Sequence, residues 1–281
     1  MRKLQRGIAV PCFGDDPAGL ADLGVAVEEA GFDGYFLWDH MVWSDTGDGP
    51  EILDPWLVLA VVASRTSRIR IGTVVTPVPR RRPWQLARET TTLDRLSGGR
   101  AVLGVGIGVP SYGDFGIFGD AADERTRGDQ LDEGLAVLDG LWSGERFSYA
   151  GEHFKIDPVR FTPTPVQRPR IPIWVAGVLP NRRPIARAAR WDGFVPIKPG
   201  GDGSIRPEAA DLGQAAAQIA AVRGDLDGYD MVVWSQVAAS PAEVAEIADS
   251  YSEAGATWFI ETAWPGPDWR QGIGDRVAAG P

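Results

Sequence analysis

Arg95-Leu-Ser-Gly-Gly-Arg100-Ala-Val-Leu-Gly-Val-Gly-Ile-Gly108 is the stretch on which the fold turns. It reads as a tight Gly-Gly turn feeding a strand over residues 101–105 that ends in alternating glycines. Ala, Val and Leu in close succession suit a strand covered on both faces, as in a parallel sheet. Gly104, Gly106 and Gly108 strip side chains from its C-terminal end. That suits either a tight barrel corner or a flat ligand lying close to the backbone. The stretch is not a dinucleotide fingerprint. A G-x-G-x-x-G match needs glycine at 109 or 111, where Val109 and Ser111 stand, and no helix N-terminus follows to meet a pyrophosphate.

Outward from this strand the chain repeats one unit of strand, loop and helix. Apolar runs predict strands at 7–10, 33–37, 69–75, 101–105, 171–175, 193–197, 231–234 and 257–260. Helical periodicity predicts helices at 19–30, 56–65, 83–96, 125–142, 207–223 and 241–254. The Pro-rich segment 143–170 reads as a short surface hairpin and a crossing loop. Eight strands alternating with helices, with no break in composition, predict an α/β fold. It is a closed (β/α)8 TIM barrel forming one domain over residues 1–281, in preference to an open doubly wound sheet.

Composition narrows the function classes. At 281 residues the chain is long for one ordinary domain but usual for such a barrel, and 44% hydrophobic content supports a large core. One cysteine, Cys12, excludes an internal disulfide framework and fits a reducing compartment. No run approaches the ~18 apolar residues of a membrane span, so a cytoplasmic protein is expected. A net charge of -10 argues against nucleic acid or an anionic membrane as partner. It leaves room for a phosphorylated cofactor, because phosphate sites are built locally.

In such barrels the reactive face is built from strand C-terminal ends and the loops that follow them. That rule selects Pro11, Cys12 and Phe13; Asp39 and His40; Thr73, Val74 and Thr76; and Gly106, Ile107 and Gly108. It adds Ala176, Gly177 and Val178; Lys198; Gln236; and Glu261. His40, beside Asp39, has the chemistry of a proton donor or acceptor near neutral pH. Asp39 and Glu261 also read as the acid and base of a barrel hydrolase. Cys12 has no identifiable catalytic partner and reads as a buried thiol. No metal is expected, since no histidine or cysteine pair has ligand spacing. Arg80-Arg81-Arg82 reads as a solvated turn. After Ala176-Gly177, residues Asn181, Arg182 and Arg183 precede a helix opened by Pro184, the recipe for a phosphate seat.

Taken together, these residues resemble the bacterial luciferase-like family of flavin- and deazaflavin-dependent oxidoreductases. The resemblance is carried by Trp38-Asp39-His40, Ile71-Gly-Thr-Val-Val-Thr-Pro77, the stretch 94–108, Phe161-Thr-Pro-Thr-Pro-Val-Gln-Arg-Pro169 and Ile173-Trp-Val-Ala-Gly177. It implies a single isoalloxazine or deazaflavin ring across the strand ends, from FMN or coenzyme F420, with Asp39-His40 favouring F420. It implies a bulge with a non-prolyl cis peptide near Thr73-Val74, pressed against one ring face. Asp39, Thr73, Val74, Thr76, Gly106, Ile107 and Gly108 would then flank the ring, while Ala176, Gly177, Val178, Asn181, Arg182 and Arg183 would meet the phosphate.

The implied activity is hydride transfer to or from a small organic substrate or, with FMN and oxygen, monooxygenation. Phe13, Trp38, Trp43 and Glu261 would line the substrate pocket, with His40 and Asp39 as catalytic groups. A non-catalytic flavin-binding barrel is the alternative within the same fold. The resemblance also implies a homodimer paired through early helices, and a separate flavin or F420 reductase supplying reduced cofactor. One departure stands out. Some deazaflavin-using relatives carry glutamate directly after the strand-four glycines, and this chain has Val109 there.

Overall fold

The structure is a computed structural model that describes residues 3–44, 46, 48–109, 113–200, 205–236, 240–264, 266 and 268–281. In chain order the elements are β1 (Gln5–Val10), α1 (Pro17–Glu29), β2 (Gly34–Leu37), α2 (Pro55–Arg65), β3 (Arg70–Pro77), α3 (Pro83–Leu96), β4 (Ala101–Gly106) and α4 (Glu124–Trp142). There follow β5 (Arg146–Ala150), β6 (Lys155–Arg160), β7 (Ile173–Val178), α5 (Arg182–Ala188), β8 (Gly193–Ile197), α6 (Ala209–Arg223), β9 (Asp230–Gln236), α7 (Pro241–Glu253), β10 (Trp258–Thr262) and α8 (Trp269–Ala278).

Local chemistry sets many of these bounds. Asp16 and Asp54 cap α1 and α2, each accepting a backbone N–H three residues on, with proline in the following position. Ser240 and Glu243 form a reciprocal capping box on α7. Eight strands close into a parallel barrel in the order β1-β10-β9-β8-β7-β4-β3-β2, which confirms the predicted (β/α)8 architecture. The antiparallel hairpin β5-β6 lies outside it, in the Pro-rich segment where a hairpin is expected. Among the described residues no helix is long and apolar enough to cross a membrane.

Period-two alternation sorts the strand residues into two layers. Ile8, Val10, Tyr35, Leu37, Ile71, Leu103, Val105 and Val175 pack with helix residues such as Leu20, Leu59, Leu86 and Leu135 in the outer core. Ala9, Phe36, Trp38, Val74, Val102, Trp174, Val195, Val232, Trp258 and Ile260 form a second cluster made of strand residues and the residue after β2, which is the barrel interior. Its lower part is filled by Phe36, Trp174 and Trp258, with ring centroids 5.2, 5.3 and 5.8 Å apart. Room for them comes from facing glycines. A Cβ on Gly34 would lie 2.7 Å from the Phe36 ring, and one on Gly193 would lie 2.5 Å from the Trp174 ring.

β3 runs to Pro77, two residues beyond the sequence expectation. Its pairing with β4 shifts register between Thr73 and Thr76, and the Val74–Val75 peptide is cis. The expected bulge is present, with the cis bond one residue later than Thr73-Val74. This bulge explains Gly104. A Cβ there would collide with the Thr73 carbonyl oxygen, so the strand beneath the bulge must carry none.

Gly104→Ala should therefore cost about 1–3 kcal/mol of stability through overpacking. Gly213→Ala, in the middle of α6 with nothing near its Cβ position, should add about 0.5–1 kcal/mol. Urea midpoints of the two variants check the opposite signs; a Gly104→Ala midpoint at or above that of the parent contradicts the close approach.

Candidate active site

The end of β2 delivers Trp38, Asp39 and His40 to the C-terminal face of the barrel. Trp38 continues the inward series begun by Phe36. Asp39 is 1% exposed, and four donors fill its carboxylate. Arg80 and Arg81 Nη2 donate to Oδ1 at 2.6 and 2.8 Å, and Arg81 Nε and Thr76 Oγ1 donate to Oδ2 at 2.9 and 2.8 Å. The Thr76 and Thr73 hydroxyls lie 2.9 Å apart, which ties the bulge to the same group. Burial pushes the Asp39 pKa up, but the Arg81 and Arg80 guanidinia more than offset it and hold the carboxyl below its ordinary range. Asp39 is thus an ionised anchor, a correction to its expected role as a proton carrier.

The same geometry corrects the reading of Arg80-Arg81-Arg82 as a solvated turn. The Arg80 side chain is 4% exposed and that of Arg81 15%, both turned onto Asp39. Arg82 alone of the three faces outward, over Trp84. Three consecutive arginines gave no sign of this, because their partner lies about forty residues earlier in the chain.

His40 leans on a residue that sequence reasoning missed. Its Nδ1 lies 2.8 Å from Oδ2 of Asp114, a fully buried carboxylate in the loop after β4. Oδ1 of Asp114 accepts the backbone N–H groups of Met41 and Val42 at 2.7 and 3.2 Å and lies 3.1 Å from Arg80 Nη1. Burial raises the Asp114 pKa, while the hydrogen bond from His40 and the charge of Arg80 lower it further than burial raises it. An ionised carboxylate only accepts, so Nδ1 carries a proton and Nε2 is the nitrogen that gains or loses one. The only signal in the sequence was one acidic residue within a glycine-rich loop.

Around the mouth, barrel order divides the inward-facing residues into two halves. On β2, β1, β10 and β9 and just beyond them stand Trp38, Phe13, Trp264 and Trp234, joined by Trp43 from the loop after β2. Trp38 lies 5.4 Å from Trp234, 5.5 Å from Trp264, 6.0 Å from Trp43 and 6.5 Å from Phe13. On β3, β4 and β7 the corresponding residues are Val74, Val75, Gly106 and Ala176. A Cβ added to Gly106 would come 3.1 Å from the Val75 side chain and 3.9 Å from that of Ala176, so these three form a shallow apolar floor. Gly108, at φ +74°, is filled by the Phe115 ring and Pro77. Ile107 is half-buried beside the outer core.

Other expected site residues are placed differently. Glu261 points away from the mouth, because alternation on β10 sends Ile260 inward and its neighbour outward. It is fully buried between Arg6 at 2.7 Å and Arg276 at 2.5 and 2.7 Å. That removes Glu261 from the substrate pocket and ends the Asp39/Glu261 hydrolase reading. The missing Cβ of Gly177 is taken by Pro184. Asn181 caps α5, a helix of only seven residues, without a side-chain cap bond. Arg183 is paired with Asp129 and Asp132 of α4 at 2.5 and 3.0 Å, so the phosphate seat expected here lacks its charge. Arg182 and Val178 are exposed nearby. Cys12 is buried and its thiol is pushed up to about 12, chiefly by burial, which makes it inert. Residues 110–112 of the loop after β4 lie outside the described residues.

Comparison with known proteins accords with this architecture. A family model described as luciferase-like monooxygenase matches residues 4–271. An F420-dependent glucose-6-phosphate dehydrogenase of Nakamurella multipartita is 36% identical over 182 residues, which cover 64% of this chain and 52% of that protein. An F420-dependent hydroxymycolic acid dehydrogenase of Mycobacterium tuberculosis is 37% identical over 165 residues, 57% of this chain and 44% of that protein. The chain spans about half the length of these curated relatives. Among solved structures, an F420-dependent secondary alcohol dehydrogenase superposes with a TM-score of 0.77 at 18% identity, covering 98% of both chains. The F420-dependent tetrahydromethanopterin reductase of Methanopyrus kandleri gives 0.73 at 20%, covering 96% of both. At those identities the likeness is one of fold.

The Asp39 cluster sets an acid limb for stability. Asp39 and Asp114 both have depressed pKa values in the folded chain, so their contribution is present above the ordinary carboxylate value, about 3.9, and is lost as pH falls below it. Asp39→Asn should cost about 3–5 kcal/mol at pH 7, because it removes the carboxylate that both guanidinia share and leaves Arg80 only Asp114 at 3.1 Å and Arg81 only the longer contacts to Glu89 and Asp54 at 3.5 and 4.0 Å. It should also flatten the fall in stability between neutral pH and about pH 3. Urea unfolding across that range checks both effects; equal slopes in variant and parent contradict the anchor role.

Proposed function

This chain belongs to the luciferase-like monooxygenase family, and from that premise we propose that it is a flavin- or deazaflavin-dependent oxidoreductase acting on a small organic substrate, with coenzyme F420 the favoured cofactor. The observation that carries the proposal is the position of His40. It follows β2, where the aromatic half of the mouth meets the half floored by small residues. The F420-dependent relatives that share over a third of their aligned residues with this chain support the choice of cofactor.

The residues present fit a flat ring. The floor of Val75, Gly106 and Ala176 raises no polar side chain, and Val74 and Val75 at the bulge bring backbone toward it. When bound, F420 or FMN supplies transfer of a hydride, and FMN also supports oxygen chemistry. The protein's own part is orientation, exclusion of water and a proton. Val75, Gly106 and Ala176 seat one face of the ring. Asp114 fixes the tautomer and direction of His40, whose Nε2 gives a proton to the substrate oxygen in reduction or takes it in oxidation. Trp38, Trp43, Trp234 and Trp264 keep water from the reacting atoms. Asp39 holds the β3 end against β2 and stays ionised throughout.

A separate flavin or F420 reductase is the partner class this reading implies. Leu57, 73% exposed, and Val61, 42% exposed, present α2 as the face for a homodimer.

Titration of the protein with F420 and with FMN, followed by visible spectra, tests the reading. F420 should be perturbed and retained at micromolar concentration; if neither chromophore is held, the proposal fails. His40→Ala should cut turnover about 10²–10⁴-fold while leaving cofactor affinity in place. Gly106→Val should weaken cofactor binding while the barrel stays folded by circular dichroism, and unchanged affinity would assign the glycine to packing alone.

A further inference from the structure

The aromatic half of the mouth carries information about the substrate that cofactor chemistry does not supply. Phe13, Trp38, Trp43, Trp234 and Trp264 form one connected cluster, and His40 joins it edge-on to Trp43 at 4.7 Å. Two of these rings hold unmet hydrogen-bond donors: the indole Nε1 atoms of Trp38 and Trp234 are buried without a partner. A buried N–H without an acceptor is costly, and an oxygen atom arriving with a ligand removes that cost.

Charge on this half is one-sided. The segments that follow β1, β2, β9 and β10, residues 11–16, 38–54, 237–240 and 263–268, contain eight aspartates or glutamates and no lysine or arginine. Arg127, whose Nε and Nη2 are buried without a partner, lies over Phe115 on the floor side, and the cations that approach the aromatic half from neighbouring elements are engaged. Arg80 and Arg81 sit on Asp39, Lys198 on Asp211 at 2.8 Å, and Arg270 on the Phe13 carbonyl at 2.8 Å. Arg206 is bonded to Ser235 at 3.2 Å and lies over Tyr251. After Arg2, the residues outside the description include no lysine or arginine. A phosphate or carboxylate placed here would be desolvated with no counter-charge from these segments. An organic cation would leave the two indole donors unmet. The rings also turn edges to one another, with Trp38 and Trp234 at 86° and Phe13 and Trp43 at 69°, so much of their negative faces is already occupied.

We propose that this half of the mouth binds an uncharged, largely apolar organic molecule with a hydrogen-bond-accepting oxygen, of the aryl or alkyl ketone class or its alcohol, and that phosphorylated sugars are excluded. Naming this ligand the substrate rests on the oxidoreductase reading above; its chemical class does not. The orphaned indole donors and the one-sided charge select it.

An isosteric series tests the class on the unmodified protein: acetophenone, benzoate, benzylammonium and phenyl phosphate, with glucose 6-phosphate added, each titrated by indole fluorescence and calorimetry. Acetophenone should bind at least tenfold tighter than any charged member. Trp234→Phe, which keeps an aromatic side chain but removes the donor together with the five-membered ring, should weaken acetophenone about fivefold more than it weakens ethylbenzene. Binding of benzoate, phenyl phosphate, glucose 6-phosphate or benzylammonium as tight as acetophenone overturns the proposal, as does an acetophenone affinity that falls no further than that of ethylbenzene in the folded variant. The F420 and FMN titration on the same preparation separates the two readings. Retained cofactor without ketone selectivity defeats this proposal alone. Ketone selectivity without retained cofactor supports the ligand class and defeats the oxidoreductase reading.

Discussion

The buried charge of Asp39 is the constraint on which the reactive face depends. A carboxylate at 1% exposure is tolerable only when both oxygens are filled, and here all four side-chain donors come from the end of β3 and the turn after it. The turn carrying Arg80 and Arg81 is therefore pinned over the end of β2. Arg80 reaches on to Asp114, which draws the loop after β4 to the same point, and Asp114 in turn holds His40. Arg80 and Arg81 face Asp39 and Asp114, and Arg81 also meets Glu89 at 3.5 Å and Asp54 at 4.0 Å. Buried ion pairs add little net stability compared with apolar packing, but they fix register and direction. Three strand ends thus meet at one fixed point, and the imidazole is oriented by it.

The glycines that open the argument answer to three different neighbours. Gly104 yields to the Thr73 carbonyl, which the β3 bulge pushes across the strand. Gly108 yields to the Phe115 ring and needs a backbone that side chains rarely adopt. Gly106 alone stays within the floor of the mouth, between Val75 and Ala176. The choice between a barrel corner and a ligand platform thus resolves residue by residue. Packing claims the outer two glycines and leaves the middle one for a ring.

Architecture was legible in the sequence because alternation and helix periodicity are local signals. All eight barrel strands and all six expected helices lie within a few residues of their expected bounds. Proline stands at the start of α2, α3 and α7, at Pro55, Pro83 and Pro241, and of these Pro83 served as a start signal in the sequence. The site was legible only in part. His40 and Gly106 were selected by the rule that strand ends build the reactive face, and Trp38 by the family resemblance. Asp114, Arg80 and Arg81 escaped it because their contacts with His40 and Asp39 span 41 to 74 residues, and no local pattern marks a loop aspartate as buried. Glu261 failed for the opposite reason. Its strand was right, but a shift of one residue in where β10 ends decides whether a side chain faces the mouth or the helices.

Barrel closure explains why the two halves of the mouth are so unlike. The aromatic half joins β1 and β2 to β9 and β10, so it is assembled from the two ends of the chain across the closing seam. The small-residue half comes from β3, β4 and β7 in the middle. No stretch of sequence contains either wall complete, and eleven tryptophans scattered over 281 residues look like core until the seam closes. Some are core: Trp174 and Trp258 fill the lower barrel, while Trp38, Trp234 and Trp264 rise above them. His40 follows β2, the last strand of the aromatic half, and β2 pairs directly with β3, the first strand of the floor. A ring lying on the floor and a substrate held by the wall would meet along that border. The proton-exchanging nitrogen is therefore fixed where two ligands of different shape share an edge, and what fixes it is a carboxylate on the floor side.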